Sequence, residues 1–193
     1  ADKHKGAAQP KPIARRATLG DDGRAGRAGR EQVMATGLSI RRLIEQVTSG
    51  AIRIPAFQRG FVWDAERVAF LMDSIYKGYP FGAVILWRTK EKLNAERALG
   101  PFELPAGDPD YPVDYVLDGQ QRITSIFGVF QSELEPTGDD SWTQIYFDMN
   151  ADADLQESQF LALPQDEGDA ARHFPIKTFF DVAGYRQATE GLE

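Results

Sequence analysis

The chain has 193 residues, 42% of them hydrophobic, which suffices for one core-bearing domain, and no apolar run nears the roughly 20 residues of a membrane span. It has no cysteine and two histidines, His4 and His173, which excludes disulfides, thiolate metal sites and cysteine nucleophiles and argues against a multi-histidine metal centre. The net charge of −7 is uneven: residues 1–37 carry +4, the rest −11, and residues 131–171 hold eleven acids and no Lys or Arg, so that segment would repel a phosphate backbone.

Residues 1–37 are rich in Gly, Ala and Arg, lack an apolar period, and read as a disordered basic arm. No apolar h-region occurs there, so a cytoplasmic, membrane-free chain is expected. Order is expected from Leu38. Ser39 is an N-cap signal, followed by Ile40, Leu43, Ile44 and Val47 at helical spacing and by Gly50 as a stop. "AIRIP" reads as a short strand closed by Pro55, and "AFQRGFVW" as a loop. Asp64 caps a second helix, with Trp63 and Val68 at hydrophobic-staple positions and a stripe of Val68, Leu71, Met72 and Ile75. Gly78 and Tyr79-Pro80 end it.

The continuous apolar run Ala83–Trp87 predicts a central, doubly covered strand. Residues 89–112, rich in Gly and Pro, predict an irregular excursion, and Val113–Leu117 the next strand. Gly119–Phe130 predicts a third helix with Ile123, Ile126, Phe127 and Phe130 on one face. "TQIYFDM" predicts a strand, and residues 150–172 a loose acidic stretch with a short strand near Phe160. "HFPIKTFFD" then starts something new. The absence of a clear terminator after it suggests a fragment, truncated on its C-terminal side.

The junction "YVLDGQQRITSIFGVF" is the first candidate site. The strand delivers Asp118 to the sheet edge, and Gly119 permits a tight turn or close ligand approach. The helix start then offers free N–H groups and a positive dipole end, a ready phosphate site. Arg122 can add a planar fork of donors. Asp118 beside a phosphate suggests a Mg²⁺ ligand or a ribose acceptor. Gln120 and Gln121 could bind phosphate oxygens, read a base edge or orient a water. The bland alternative is Asp118 as a helix cap with Arg122 in a surface ion pair. "FQRGFVW" is the second candidate. Gln58 and Arg59 among Phe57, Phe61 and Trp63 suit a phosphate or a stacked base, or else an exposed turn beside core aromatics. No G-x-x-x-x-G-K-[ST] occurs, so this is not a P-loop chain.

Three blocks, "IPAFQRGFVW", "LMDSIYKGYPFGAVILW" and "YVLDGQQRITSI", resemble the N-terminal domain of GmrSD-type restriction proteins, a group that includes phosphorothioate-linked phage-defence effectors. The resemblance runs from about Leu38 to Phe130, with an echo in "FPIKTFFD". It implies an α/β (α+β) fold like the ParB/sulfiredoxin domain over 38–193, after the arm 1–37. It implies nucleoside triphosphate hydrolysis, with GTP and Mg²⁺ expected. Asp118, Gln121 and Arg122 are the implied catalytic residues, with Asp118 on the metal. Gly119, Gln120, Arg122 and Arg59 are the implied nucleotide contacts. Phe57, Gln58, Arg59 and Trp63 are implied to sense modified DNA. A C-terminal His-Asn nuclease, common in relatives, would lie outside this chain. A non-hydrolytic sensor of nucleotide or phosphorothioate DNA is the alternative, and a plain interaction domain the third.

Overall fold

A computed structural model describes residues 37–93, 96–104, 112–152, 158–164 and 166–190. The arm expected over 1–37 lies, save for Gly37, outside them; from Gly37 onward the residues belong to one unit.

Helix α1 (Ile40–Thr48) starts where Ser39 accepts the Arg42 N–H, and it buries Leu43 and Val47. Strand β1 (Ile52–Pro55) leads through the loop 56–63 into α2 (Ala65–Tyr76), capped by Asp64 on the Arg67 N–H at 2.8 Å. Helix α2 ends in a Schellman turn. Gly78 has φ 68°, its N–H reaches the Ile75 carbonyl, and the Tyr79 N–H reaches that of Ser74. Strands β2 (Ile85–Thr89), β3 (Glu96–Arg97) and β4 (Val113–Asp118) follow, then α3 (Gln120–Phe130). The remainder is a 3-10 turn at Ser141–Thr143, strands β5 (Ile145–Asp148), β6 (Phe160–Ala162) and β7 (His173–Pro175), a second 3-10 turn and α4 (Val182–Thr189). The fold class is α/β, as expected.

The first sheet has the order β2-β4-β1-β3, with β4 parallel to β1 and the outer pairs antiparallel. The second is antiparallel, β6-β5-β7. Helix α2 joins them. Asp73 accepts the Gln159 N–H at 2.9 Å and pairs with Lys77 at 2.9 Å, and the Tyr76 ring lies against Phe147 and Phe160.

Three expectations need correction. The apolar run 83–87 is not a central strand: it forms the edge strand β2 and the loop before it, with Ile85 53% exposed. Its residues Ala83 and Val84 instead close over the start of α3, as described below. Helix α3 does not present one apolar face: every residue but Arg122 is buried, which accounts for the small side chains of Thr124, Ser125 and Gly128. Gly128 is a packing site, since a Cβ there would stand 2.4 Å from Trp142. The excursion 89–112 is not all irregular. It contributes β3 to the first sheet and the core residues Leu99 and Phe102, the latter edge-on to Phe127. A two-residue strand is too short to show a period. The closing "HFPIKTFFD" supplies β7, which completes the second sheet.

Candidate functional site

Three segments meet where β4 hands over to α3. Gly119, at φ 90°, is the N-cap of α3, and no side chain caps the helix. The N–H groups of its first turn therefore have no side-chain partner, while Gly119, Gln120 and Gln121 are themselves buried. The bland alternative placed Asp118 in the capping role; the residue instead ends β4, paired with Ile85, its side chain 68% exposed. A Cβ on Gly119 would meet Val84 at 2.9 Å, so only glycine fits under the loop 81–84.

Arg122 lies along that same loop. It donates from Nη1 to the Ala83 carbonyl at 3.1 Å, and its Nη1 stands 4.0 Å from Asp118 Oδ2. Gly82, at φ 93°, lets the guanidinium approach: a Cβ there would stand 2.7 Å from Nη2. The arginine is held yet 27% exposed, so part of its fork still faces outward.

The loop 56–63 is clasped onto this junction by two amides. Gln58 Nε2 donates to the carbonyls of Val116 and Leu117 at 3.0 and 2.9 Å, beyond the point where β1 ends at Pro55. Gln121 returns the grip. Its Oε1 accepts the Val62 N–H at 2.9 Å and its Nε2 donates to the Gly60 carbonyl at 3.0 Å. Gln121 is 8% exposed and its amide is engaged at both ends. Gln120, 7% exposed, has no side-chain hydrogen bond to a described residue. Phe57 is 74% exposed, and Arg59 stands exposed beside it with no ion pair among the described residues.

Beside Arg122 runs an open groove of about 420 Å³ along α2, lined by Trp63, Arg67, Phe70, Ser74, Phe81 and Arg122. Trp63 keeps the staple position expected of it, half-buried against the core, and also faces this groove. Arg122 and Trp63 are thus brought together. The sequence reading missed Arg67, Phe70, Ser74 and Phe81. The signal for the first three was a second helical stripe on α2, 67-70-74, outside the apolar one, whereas Phe81 lies in the loop after the helix.

Among the described residues no three His, Asp or Glu side chains cluster as a metal site. Asp118 is the carboxylate beside the helix start; one carboxylate with phosphate oxygens and water is an ordinary Mg²⁺ set, so the residues fit that ion. His173 is away from this junction in β7, where its Nδ1 accepts the Asp169 N–H at 3.1 Å. No helix among the described residues is long and apolar enough to cross a membrane.

A mixed α/β domain with an uncapped, glycine-cradled helix start and an arginine beside it has the makings of an anion site. The family model described as "GmrSD restriction endonuclease, N-terminal domain" matches residues 40–185, and the chain belongs to that family. It is thereby a component of a restriction system, as the three sequence blocks implied. It is also similar to a protein of Methanocaldococcus jannaschii described as uncharacterized, 28% identical over 136 residues. That match covers 61% of this chain and 22% of the relative, so the chain spans about a fifth of the protein it resembles. No solved structure matches.

Proposed function

We propose that residues 38–193 form a domain that binds a nucleoside triphosphate, with GTP expected, and hydrolyses it within a restriction system directed at modified phage DNA. The observation that carries this reading is the uncapped start of α3 with Arg122 fixed beside it. Backbone N–H groups and a guanidinium together suit a chain of phosphates. Arg122 would neutralise charge on the transferring phosphoryl group, with Arg59 a second cation on the facing loop. Asp118 would hold Mg²⁺, which supplies further neutralisation. Phosphoryl transfer asks mainly for positioning and charge neutralisation, so no special nucleophile is required.

In this scheme Gln120 is the amide left to orient a water. Gln121 acts as a positioning residue, because both ends of its amide hold the facing loop. Phe57 and Arg59 form the exposed side of that loop, which Gln58 holds to the end of β4, and there modified DNA would be sensed. Cutting of DNA is assigned to a C-terminal nuclease domain or partner subunit outside this chain.

The engagement of both Gln58 and Gln121 favours a second reading, a sensor that binds nucleotide or phosphorothioate DNA without turnover. Phosphate release from GTP, ATP, CTP and UTP with Mg²⁺ separates the two, run on the wild type, Asp118→Ala and Arg122→Ala. Turnover lost in both folded variants supports the hydrolase. A rise in melting temperature without turnover supports the sensor. Neither response would leave an interaction domain.

A further inference from the structure

We infer that the groove along α2 is a stacking subsite for the planar base of the bound nucleotide, walled by Trp63, Phe70 and Phe81. The inference rests on the nucleotide reading above and extends it from the phosphates to the base.

Phe70 is the residue that asks for an explanation. It sits between Ala69 and Leu71, each 5% exposed, yet is itself 59% exposed. The buried stripe of α2 is complete without it. Trp63 and Phe81 reach the same open space from the loops before and after α2, so three rings from three places converge on one groove. A groove for an apolar partner would have apolar ends. This one has Arg122 at its junction end and Arg67 among its lining residues, with no carboxylate in the lining. Both arginines are only loosely paired, Arg67 to Asp64 at 3.7 Å and Arg122 to Asp118 at 4.0 Å. Flat apolar faces next to an anion-binding helix start match a molecule with a ring at one end and phosphates at the other. Stacking on aromatic side chains accepts any base, because every base has a π-face. The groove therefore separates nucleotides from bare polyphosphate more sharply than one base from another, with the larger purines favoured.

The test is equilibrium binding of GTP, UTP and inorganic triphosphate to the full chain, by calorimetry, for the wild type, Phe70→Ala and Phe70→Leu. Phe70 is exposed and alanine is a good helix former, so the fold should survive; circular dichroism checks it. Phe70→Leu keeps the apolar bulk and removes the π-face. The expected result is GTP binding weakened about 5- to 150-fold in Phe70→Ala, and weakened in Phe70→Leu too, with triphosphate binding unchanged. GTP and triphosphate binding the wild type equally, or losing affinity together in the variants, overturns the subsite and leaves the phosphate site standing. Binding of neither by the wild type overturns both.

Discussion

Gln121 holds two backbone groups of a loop some sixty residues away in the chain, the Val62 N–H and the Gly60 carbonyl. Removing the amide leaves both without their partner in a part-buried place. Gln121→Ala is therefore expected to cost about 1–3 kcal/mol, read by denaturant unfolding. Gln121→Glu keeps an acceptor for Val62 but sets a carboxylate against the Gly60 carbonyl, and should not restore the loss. Gly119 is constrained from two sides, by a φ of 90° and by Val84 at 2.9 Å from any Cβ. Gly119→Ala should destabilise by about 1–3 kcal/mol and weaken anion binding as the helix start shifts, checked by the same unfolding curves and a sulfate titration. These two residues also mark how far the sequence could be read. The Asp-Gly-Gln-Gln-Arg block announced a strand-to-helix junction, and β4 passes to α3 there. That Gln121 would be buried could not be seen, because its partners are backbone groups of a distant loop with no side-chain signature.

Caps and stripes on α1 and α2 were legible because helices declare themselves locally: Ser39, Asp64 and Gly78 each do what their types predict. Strand position was not, because the apolarity of Ala83–Trp87 reflects the cover it lends to α3 as well as the sheet. The result is an apolar edge strand, with Ile85 and Leu86 53% and 38% exposed. Ile85→Lys should reduce self-association at high concentration, by light scattering, with little change in melting temperature. In the second sheet, β5 and β7 are tied by a two-pronged pair. Arg172 donates from Nε and Nη2 to Asp148 at 2.9 and 2.6 Å, and holds the Asp148 carboxyl below its ordinary value. A carboxyl depressed in the folded state lends stability above its unfolded value, about pH 3.9, and loses it as pH falls through the lower folded value. The stability gap between wild type and Arg172→Ala should thus be wide at neutral pH and narrow as the pH falls below about 4, by denaturant unfolding across the acid range.

At the scale of the molecule, the acidic character of residues 131–171 goes with the second sheet and its connections, while the uncapped start of α3 and Arg122 lie at the junction in the first. The sequence anticipated that separation of charge but not what bridges it. Helix α2 does, with one face along the groove and Asp73 and Tyr76 on the second sheet. Asp73 is 9% exposed and accepts a backbone N–H from just before β6, so the seam is buried at Asp73, with the half-exposed Tyr76 at its rim. With such a seam the two sheets are expected to open together rather than one at a time. Amide hydrogen exchange would report it: a nucleotide bound at the start of α3 should slow exchange in β5 and β6 as well as in β4. In Asp73→Ala, that distant protection should vanish while protection at β4 persists.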